Sequence, residues 1–465
     1  MPSIIEPSLP RDMETAATRI YQLLVLLRAN DKNIWPISVR EQRYQYDGPQ
    51  RAMIRGKVDM SAMLDTLAFL SVLNDSSRVA LAVAVNPSRT TLVVAQDDPG
   101  NPRLPEHLFT LWCMLRQAKE ATDLGDVAGL EHTRRSVFLY LYRACAHHIA
   151  TAIRTGEKAF EHYRSKQKID DIEDPARHAT FLGDIEVLST ILFDGQSYRT
   201  SLSSDDVAKL IEVCESFCDL IEEDYELLAS WTRCYRSAEG IEMDFPVQRY
   251  LLSICTLHHY ITYILLFAST RSRYREILEN PLEVTLVPPE SYHCCDIPVS
   301  TQELFALLKN AVDPRERDVT IDRLEGRLAT ELPHLSGGVA AFNGHSHCEC
   351  ALVVYAHNHA MEVTHIGISS KPCYACSRFL LACTGLVGHF TSTFDRLFHE
   401  EFDLPWSLPP PFYDRTHLTS DIDFDLTTLI WRRMSAMLFC DVGYMWSHKA
   451  STILEHYKAR YRYKD

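Results

Sequence analysis

The chain has 465 residues, of which 46% are hydrophobic, with 14 cysteines and a net charge of −15. That is enough length for one large or two to three ordinary domains, with ample material for a core. The acidic balance excludes a broad basic surface for neutralising nucleic-acid phosphates, and the cysteine spacing is not that of a short secreted scaffold, so a reducing, cytoplasmic or nuclear setting is expected.

Residues 1–58 begin with no basic-then-apolar leader and read as an N-terminal helical segment, with a helix over 13–29 followed by a polar stretch. From Asp59 a second helix is predicted: Met60, Met63, Leu64, Leu67 and Leu70 share one face, and Asp59 is placed to cap it. Residues 79–85 and 90–95 are β-rich runs joined by Asn86-Pro87-Ser88-Arg89, which is turn chemistry, so a hairpin is expected. The first run is apolar at both alternating sets, which predicts a strand covered on both faces.

Residues 101–335 read as a mainly helical insertion or accessory domain. Helices are predicted over 106–121, 134–164, 204–231, 247–277 and 301–310, with breaks at 171–175, 240–245 and 287–290. The stretch 250–268 is apolar enough for a membrane span, but His258 and His259 in its middle favour a buried core helix, and no membrane partner is expected. Cys214 and Cys218 are helically spaced, and His293, Cys294 and Cys295 are adjacent; neither set shows partners, and both read as packing or loop residues. Arg271, Arg273 and Arg275 form a basic run, as do Arg432 with Arg433 and Lys458, Arg460, Arg462 and Lys464 near the end. Solvated helix faces account for each.

Residues 336–465 alternate: helix 347–357, strand 363–369, helix 373–383, strand 386–391, then helices 426–438 and 448–461. Two short motifs stand here, His347-Cys348-Glu349 and Pro372-Cys373-Tyr374-Ala375-Cys376. A catalytic zinc takes three protein ligands and leaves a fourth position for water, whose pKa falls from about 16 toward roughly 7. His347, Cys373 and Cys376 are the candidate ligands, and Glu349 is the candidate proton carrier. Cys373 and Cys376, three apart, share one helix face. Pro372 suits a helix start, where the dipole favours thiolates. Asn343-Gly344 reads as a turn that starts the helix of His347.

The cysteine pair alone would equally serve a structural zinc or core packing; the upstream His-x-Glu and the preceding proline favour the catalytic arrangement. His345 is an alternative ligand. Cys348 and Cys350 read as small buried hydrophobes, and His357, His359 and His365 as surface or satisfied core histidines. Tyr374 and Trp406 could stack on a base or pack in the core.

On these motifs the chain resembles the cytidine deaminase-like superfamily. His347 to Leu352 and Gly367 to Cys376 are similar to the large fungal deaminase family related to bacterial toxin deaminases, as are Phe390-Thr391 and Trp406 to Pro409. The resemblance covers roughly residues 340–411, and 59–100 more loosely. It implies an α/β fold: a three-layer deaminase-like sheet flanked by helices, in which 59–100 and 336–465 form one core around the helical residues. The hairpin would then pair with strand 363–369. It implies Zn2+ held by His347, Cys373 and Cys376, Glu349 as proton shuttle, and hydrolytic deamination of cytosine or adenine in a nucleobase, nucleoside, RNA or DNA. Gln96-Asp97-Asp98 stands where many members carry a sugar-binding Asn. The competing reading is a catalytically silent deaminase-fold scaffold whose helical region meets a protein partner.

Overall fold

The computed structural model describes residues 58–73, 78–86, 89–97, 101–166, 172–195, 197–239, 245–287, 293–298, 339–344, 347–361 and 365–369, with 376, 379 and 380. The elements predicted at 13–29, 301–310, 386–391, 426–438 and 448–461 lie outside these residues, as do the two C-terminal basic runs.

Helix α1 (Met60–Leu70) starts where the sequence placed it. The Asp59 carboxylate accepts the Ala62 N–H at 2.8 Å, satisfying one of the orphan donors of the first turn. Strands β1 (Val79–Asn86) and β2 (Arg89–Gln96) form the expected antiparallel hairpin, in register from Val79↔Gln96 to Asn86↔Arg89. Val79 to Val83 are consecutively buried, so β1 is covered on both faces. Val79, Leu81, Val83, Leu92 and Val94 join the main hydrophobic core with α1. The alternate set, Ala80, Ala82, Val93 and Ala95, is buried outside that cluster.

Strands β3 (Phe193–Asp194) and β4 (Ser197–Tyr198) pair with each other apart from this sheet, to which, among the described residues, β5 (Leu282–Leu286) and β8 (Ile366–Ile368) add two strands in the order β5-β2-β1-β8. Strand β8 (Ile366–Ile368) runs antiparallel to β1, pairing Ala80 with Ile368 and Ala82 with Ile366. The hairpin and the strand expected at 363–369 therefore share one sheet. Strand β5 (Leu282–Leu286) runs parallel to β2, with Thr90 opposite Leu282. Sequence reading missed β5, extending a helix to 277 instead.

That helix, α8 (Val247–Ser269), ends eight residues sooner than expected; a 3-10 turn (Arg273–Glu279) then leads into β5. It is the one described helix long and apolar enough to cross a membrane, yet two-thirds of its apolar window is buried inside the protein. It packs against α1, α2 (Leu104–Leu124), α4 (His147–Lys166) and α6 (Ser204–Glu223).

Three further corrections concern the helical region. The span 134–164 is two helices, α3 (Val127–Cys145) and α4, interrupted at Ala146. The span 204–231 is also two, α6 and α7 (Tyr225–Glu239), parted at Asp224. Helix α5 (Pro175–Leu192) was not expected at all. Its start is the Asp174-Pro175 pair read as a break: Asp174 accepts the Arg177 N–H, and the proline's missing donor costs nothing at the first helical position. In the basic run, Arg275 is buried rather than solvated; it pairs with Asp123 and donates to the Ala268 carbonyl.

The helices and the sheet share one hydrophobic core, which spans α1, β1, β2 and residues of every helix from α2 to α8. Direct bonds tie them as well: Asp59 N–H donates to the Tyr263 hydroxyl at 3.2 Å, and Thr90 Oγ1 donates to the Ile277 carbonyl at 2.8 Å. The described part is thus mixed α/β, mostly helical, with a small mixed sheet.

Strands β6 (His293–Pro298) and β7 (Val339–Gly344) form a separate two-stranded sheet and fall largely in a second unit of the chain. His293, Cys294 and Cys295 lie in a strand rather than a loop, and Asn343-Gly344 ends a strand instead of forming a free turn.

Candidate metal centre

Helix α9 (Cys348–Asn358) lies against β1 and β2. Ala80, Ala82 and Ala95 of these strands are small and buried. His347 is the N-cap of α9, with extended backbone (φ −66°, ψ 160°). Its carbonyl accepts the Ala351 N–H at 3.0 Å, and its imidazole does not cap the helix. Glu349 sits in the first turn, where the helix dipole favours a carboxylate.

Cys376, Phe379 and Leu380 are each helical and buried. The Cys376 Sγ lies 3.3 Å from His347 Nδ1. His347, Glu349 and Cys376 offer one nitrogen, one oxygen and one sulfur, all within 4.8 Å of one another. His347 is 4% exposed and Glu349 1%. One nitrogen, one oxygen and one sulfur are donor types that a metal cation takes, and imidazole with thiolate is a combination that suits zinc.

Strand β8 brings the second half of the site toward α1. Gly367 crosses the α1 backbone so closely that a Cβ there would stand 2.1 Å from the Leu64 carbonyl carbon. Asp65 of α1 accepts the Ile368 N–H at 3.0 Å. Ser369 binds Val79 twice, its N–H donating to the Val79 carbonyl and its Oγ accepting the Val79 N–H, each at 2.9 Å. The Gly-Ile-Ser run before the cysteine motif thus anchors β8 between helix and hairpin.

Two residues that the sequence reading left out of the candidate donor set make contacts at the site. Asp97, directly after β2, accepts the Cys348 N–H at 2.6 Å and so supplies the N-terminal cap that His347 does not. With Cys348 and Glu349 it makes a second group of three donors within 4.8 Å. Cys350 donates its thiol to the Cys376 sulfur at 3.7 Å; reading it as a small buried hydrophobe explains its burial but not this contact. The spacing signal was available for Cys350, three residues after His347 and hence on the same helix face. Cys348 lies 3.5 Å from the Glu349 carboxylate. Burial pushes its thiol well up, and the charges of Glu349 and Asp97 push the same way, so Cys348 is held as a neutral thiol.

Of the predicted site residues, the fold brings His347, Glu349 and Cys376 together. Cys373, Pro372, His345, Tyr374 and Trp406 lie outside the described residues. His359 is exposed at the far end of α9, stacked on Tyr355 with ring centroids 4.0 Å apart. His365 is half-buried before β8, and burial holds its pKa below the usual histidine range. Comparison with protein-family models, curated proteins and solved structures returned no match to this chain.

Proposed function

We propose that the chain is a zinc-dependent deaminase that hydrolyses a cyclic amidine, cytosine or adenine, in a nucleobase-containing substrate (nucleoside, RNA or DNA). The observation that carries this reading is the buried convergence of His347 and Cys376 at 3.3 Å with the Glu349 carboxylate in the same group of donors. It rests equally on the His-x-Glu and Pro-Cys-x-x-Cys spacing, which the deaminases share.

His347 and Cys376 would hold the ion, with Cys373 as the third ligand the motif assigns. Zinc bound there supplies a Lewis acid that makes water nucleophilic near neutral pH. Glu349, at the helix start, accepts a proton from the attacking water and delivers it to the ring nitrogen. The water oxygen bonds to the amino-bearing carbon, and a second proton carried through the same carboxylate lets the amine depart as ammonia. Asp97 fixes the start of α9 and with it the position of both His347 and Glu349. Thiol ligands stay available in a reducing, cytoplasmic or nuclear compartment, which this reading implies.

The test is nucleoside mass spectrometry and ammonia release from a panel of cytosine and adenine substrates, free and within RNA and DNA. Wild type should turn over at least one, and Glu349→Gln should lose at least about a thousandfold in rate while keeping its zinc and its fold. One zinc per chain with no ammonia from any substrate would overturn the enzyme reading. It would leave a deaminase-fold scaffold whose helical region meets a protein partner.

A further inference from the structure

The helical body holds a second cluster of reactive side chains, remote in sequence from the metal centre. Cys214 and Cys218 lie one turn apart on α6, and Cys255 and His259 lie one turn apart on α8, which packs against it. The partners that the sequence did not show for Cys214 and Cys218 come from this second helix. Cys218 Sγ lies 3.6 Å from His259 Nε2. The Cys255 thiol makes hydrogen-bonding contact with the same sulfur and lies 3.7 Å from the Cys214 carbonyl oxygen.

Among the described residues, the groups with three metal-ligating atoms within 4.8 Å of one another are the two at the start of α9. The present cluster is instead a row, His259, Cys218, Cys255. A row of imidazole, thiol and thiol is an arrangement for thiol chemistry rather than a cage for a cation. An imidazole against a thiol favours the thiolate, the reactive form of cysteine. Of the three cysteines, Cys218 has the most exposure, 7% against 0% for Cys214 and Cys255, and His259 beside it is half-buried. The groups facing the Cys218 sulfur are Cys255 and His259 from α8, with Glu222 one turn on along α6 opposing ionisation. Contact with Cys255 first, and His259 after it, outweighs burial and lowers the Cys218 thiol from its ordinary range. Burial holds Cys255 well up.

The geometry points to Cys218 as a peroxide-reactive thiol and Cys255 as its resolving partner, closing a disulfide between α6 and α8. The Cys218 thiolate attacks one oxygen of hydrogen peroxide and the O–O bond breaks. The hydroxide that leaves takes up, through His259, the proton the thiol gave up and departs as water, and the sulfur is oxidised to a sulfenic acid. The Cys255 sulfur then attacks Cys218, the S–O bond breaks, and the Cys255 proton leaves with that oxygen as a second water. Two electrons pass from the thiols to peroxide, whose two oxygens end as water.

The experiment is peptide mapping by mass spectrometry of the reduced full-length chain after a short exposure to hydrogen peroxide, with dimedone present to trap sulfenic acid. The expected product is a Cys218–Cys255 cross-linked peptide. Cys255→Ser should instead accumulate the dimedone adduct at Cys218, and Cys218→Ser should give neither. His259→Gln should slow the reaction at pH 7 by about tenfold as the thiolate fraction falls, and Cys214→Ser should leave the cross-link in place. Cys113, which is partly exposed, is the internal reference. The proposal fails if Cys218 reacts no faster than Cys113, or if its disulfide forms with another cysteine. None of these readouts depends on deamination.

Discussion

At the scale of single residues, the site divides into what lies close in sequence and what does not. His347 and Glu349 are two apart, and Cys376 stands three after Cys373 in sequence, so their residue types and spacing point to a candidate metal-binding group before any fold is known. Asp97 does not announce itself. It is 251 residues from the Cys348 amide it binds, and nothing in Gln96-Asp97-Asp98 separates a capping carboxylate from a polar turn. The bond is charge-assisted and partly buried, a class worth about 1.5–3 kcal/mol. Asp97→Ala should therefore lower stability by about 1–2 kcal/mol, read as a lower denaturant midpoint at unchanged slope. Asp97→Asn keeps an oxygen acceptor and should lose roughly half as much. An Asp97→Ala variant as stable as wild type would show that the cap contributes nothing.

Among elements, α1, the hairpin and α9 were legible because each carries a local signal: a cap, a turn, an apolar period. Strand β5 was not. Its five residues alternate Leu, Glu, Val, Thr, Leu after a long apolar helix, and it exists because the edge of β2 accepts a parallel partner, a fact of the sheet rather than of residues 282–286. The breaks at Ala146 and Asp224 were missed for a related reason, since apolar periodicity runs through both. Gly367 shows how tightly the last strand is fitted. A methyl group there meets the Leu64 backbone, which cannot swing aside as a flexible side chain would. Gly367→Ala should cost about 3 kcal/mol or prevent folding. Gly183 gives the contrast: it lies within α5, and a Cβ there meets nothing within 4 Å. Gly183→Ala should stabilise by about 0.5–1 kcal/mol. Equal thermal midpoints for the two variants would contradict this account of β8.

For the whole molecule, the helical body is pinned by three histidine–tyrosine pairs that cross between helices, two of them buried and the third partly so. His107 Nδ1 faces the Tyr140 hydroxyl at 2.8 Å while its Nε2 donates to the Leu70 carbonyl at 2.8 Å. His178 Nε2 lies 3.0 Å from the Tyr163 hydroxyl, and His258 Nδ1 lies 3.0 Å from that of Tyr142. Burial lowers the pKa of all three, and of His178 and His258 to about 4. The unfolded chain binds protons at the His178 and His258 rings from about pH 6.5 downward, whereas the folded chain resists there until about pH 4. Between those values the unfolded state holds more protons, so stability is complete above about pH 6.5 and falls as pH drops toward 4. Below that the contribution of these rings is spent. Each ring should contribute about 1–2 kcal/mol to the loss, less than the full shift allows because neighbouring solvent screens part of it. Denaturant midpoints taken across this interval should fall steadily for wild type. In the His178→Gln, His258→Gln double variant, which starts lower at pH 7, the decline should be clearly shallower. The comparison isolates the helical body from the candidate metal centre. If wild type and double variant declined in parallel, the acid sensitivity would have to reside elsewhere, and the neutral His–Tyr pairs would be packing contacts without a role in the pH response.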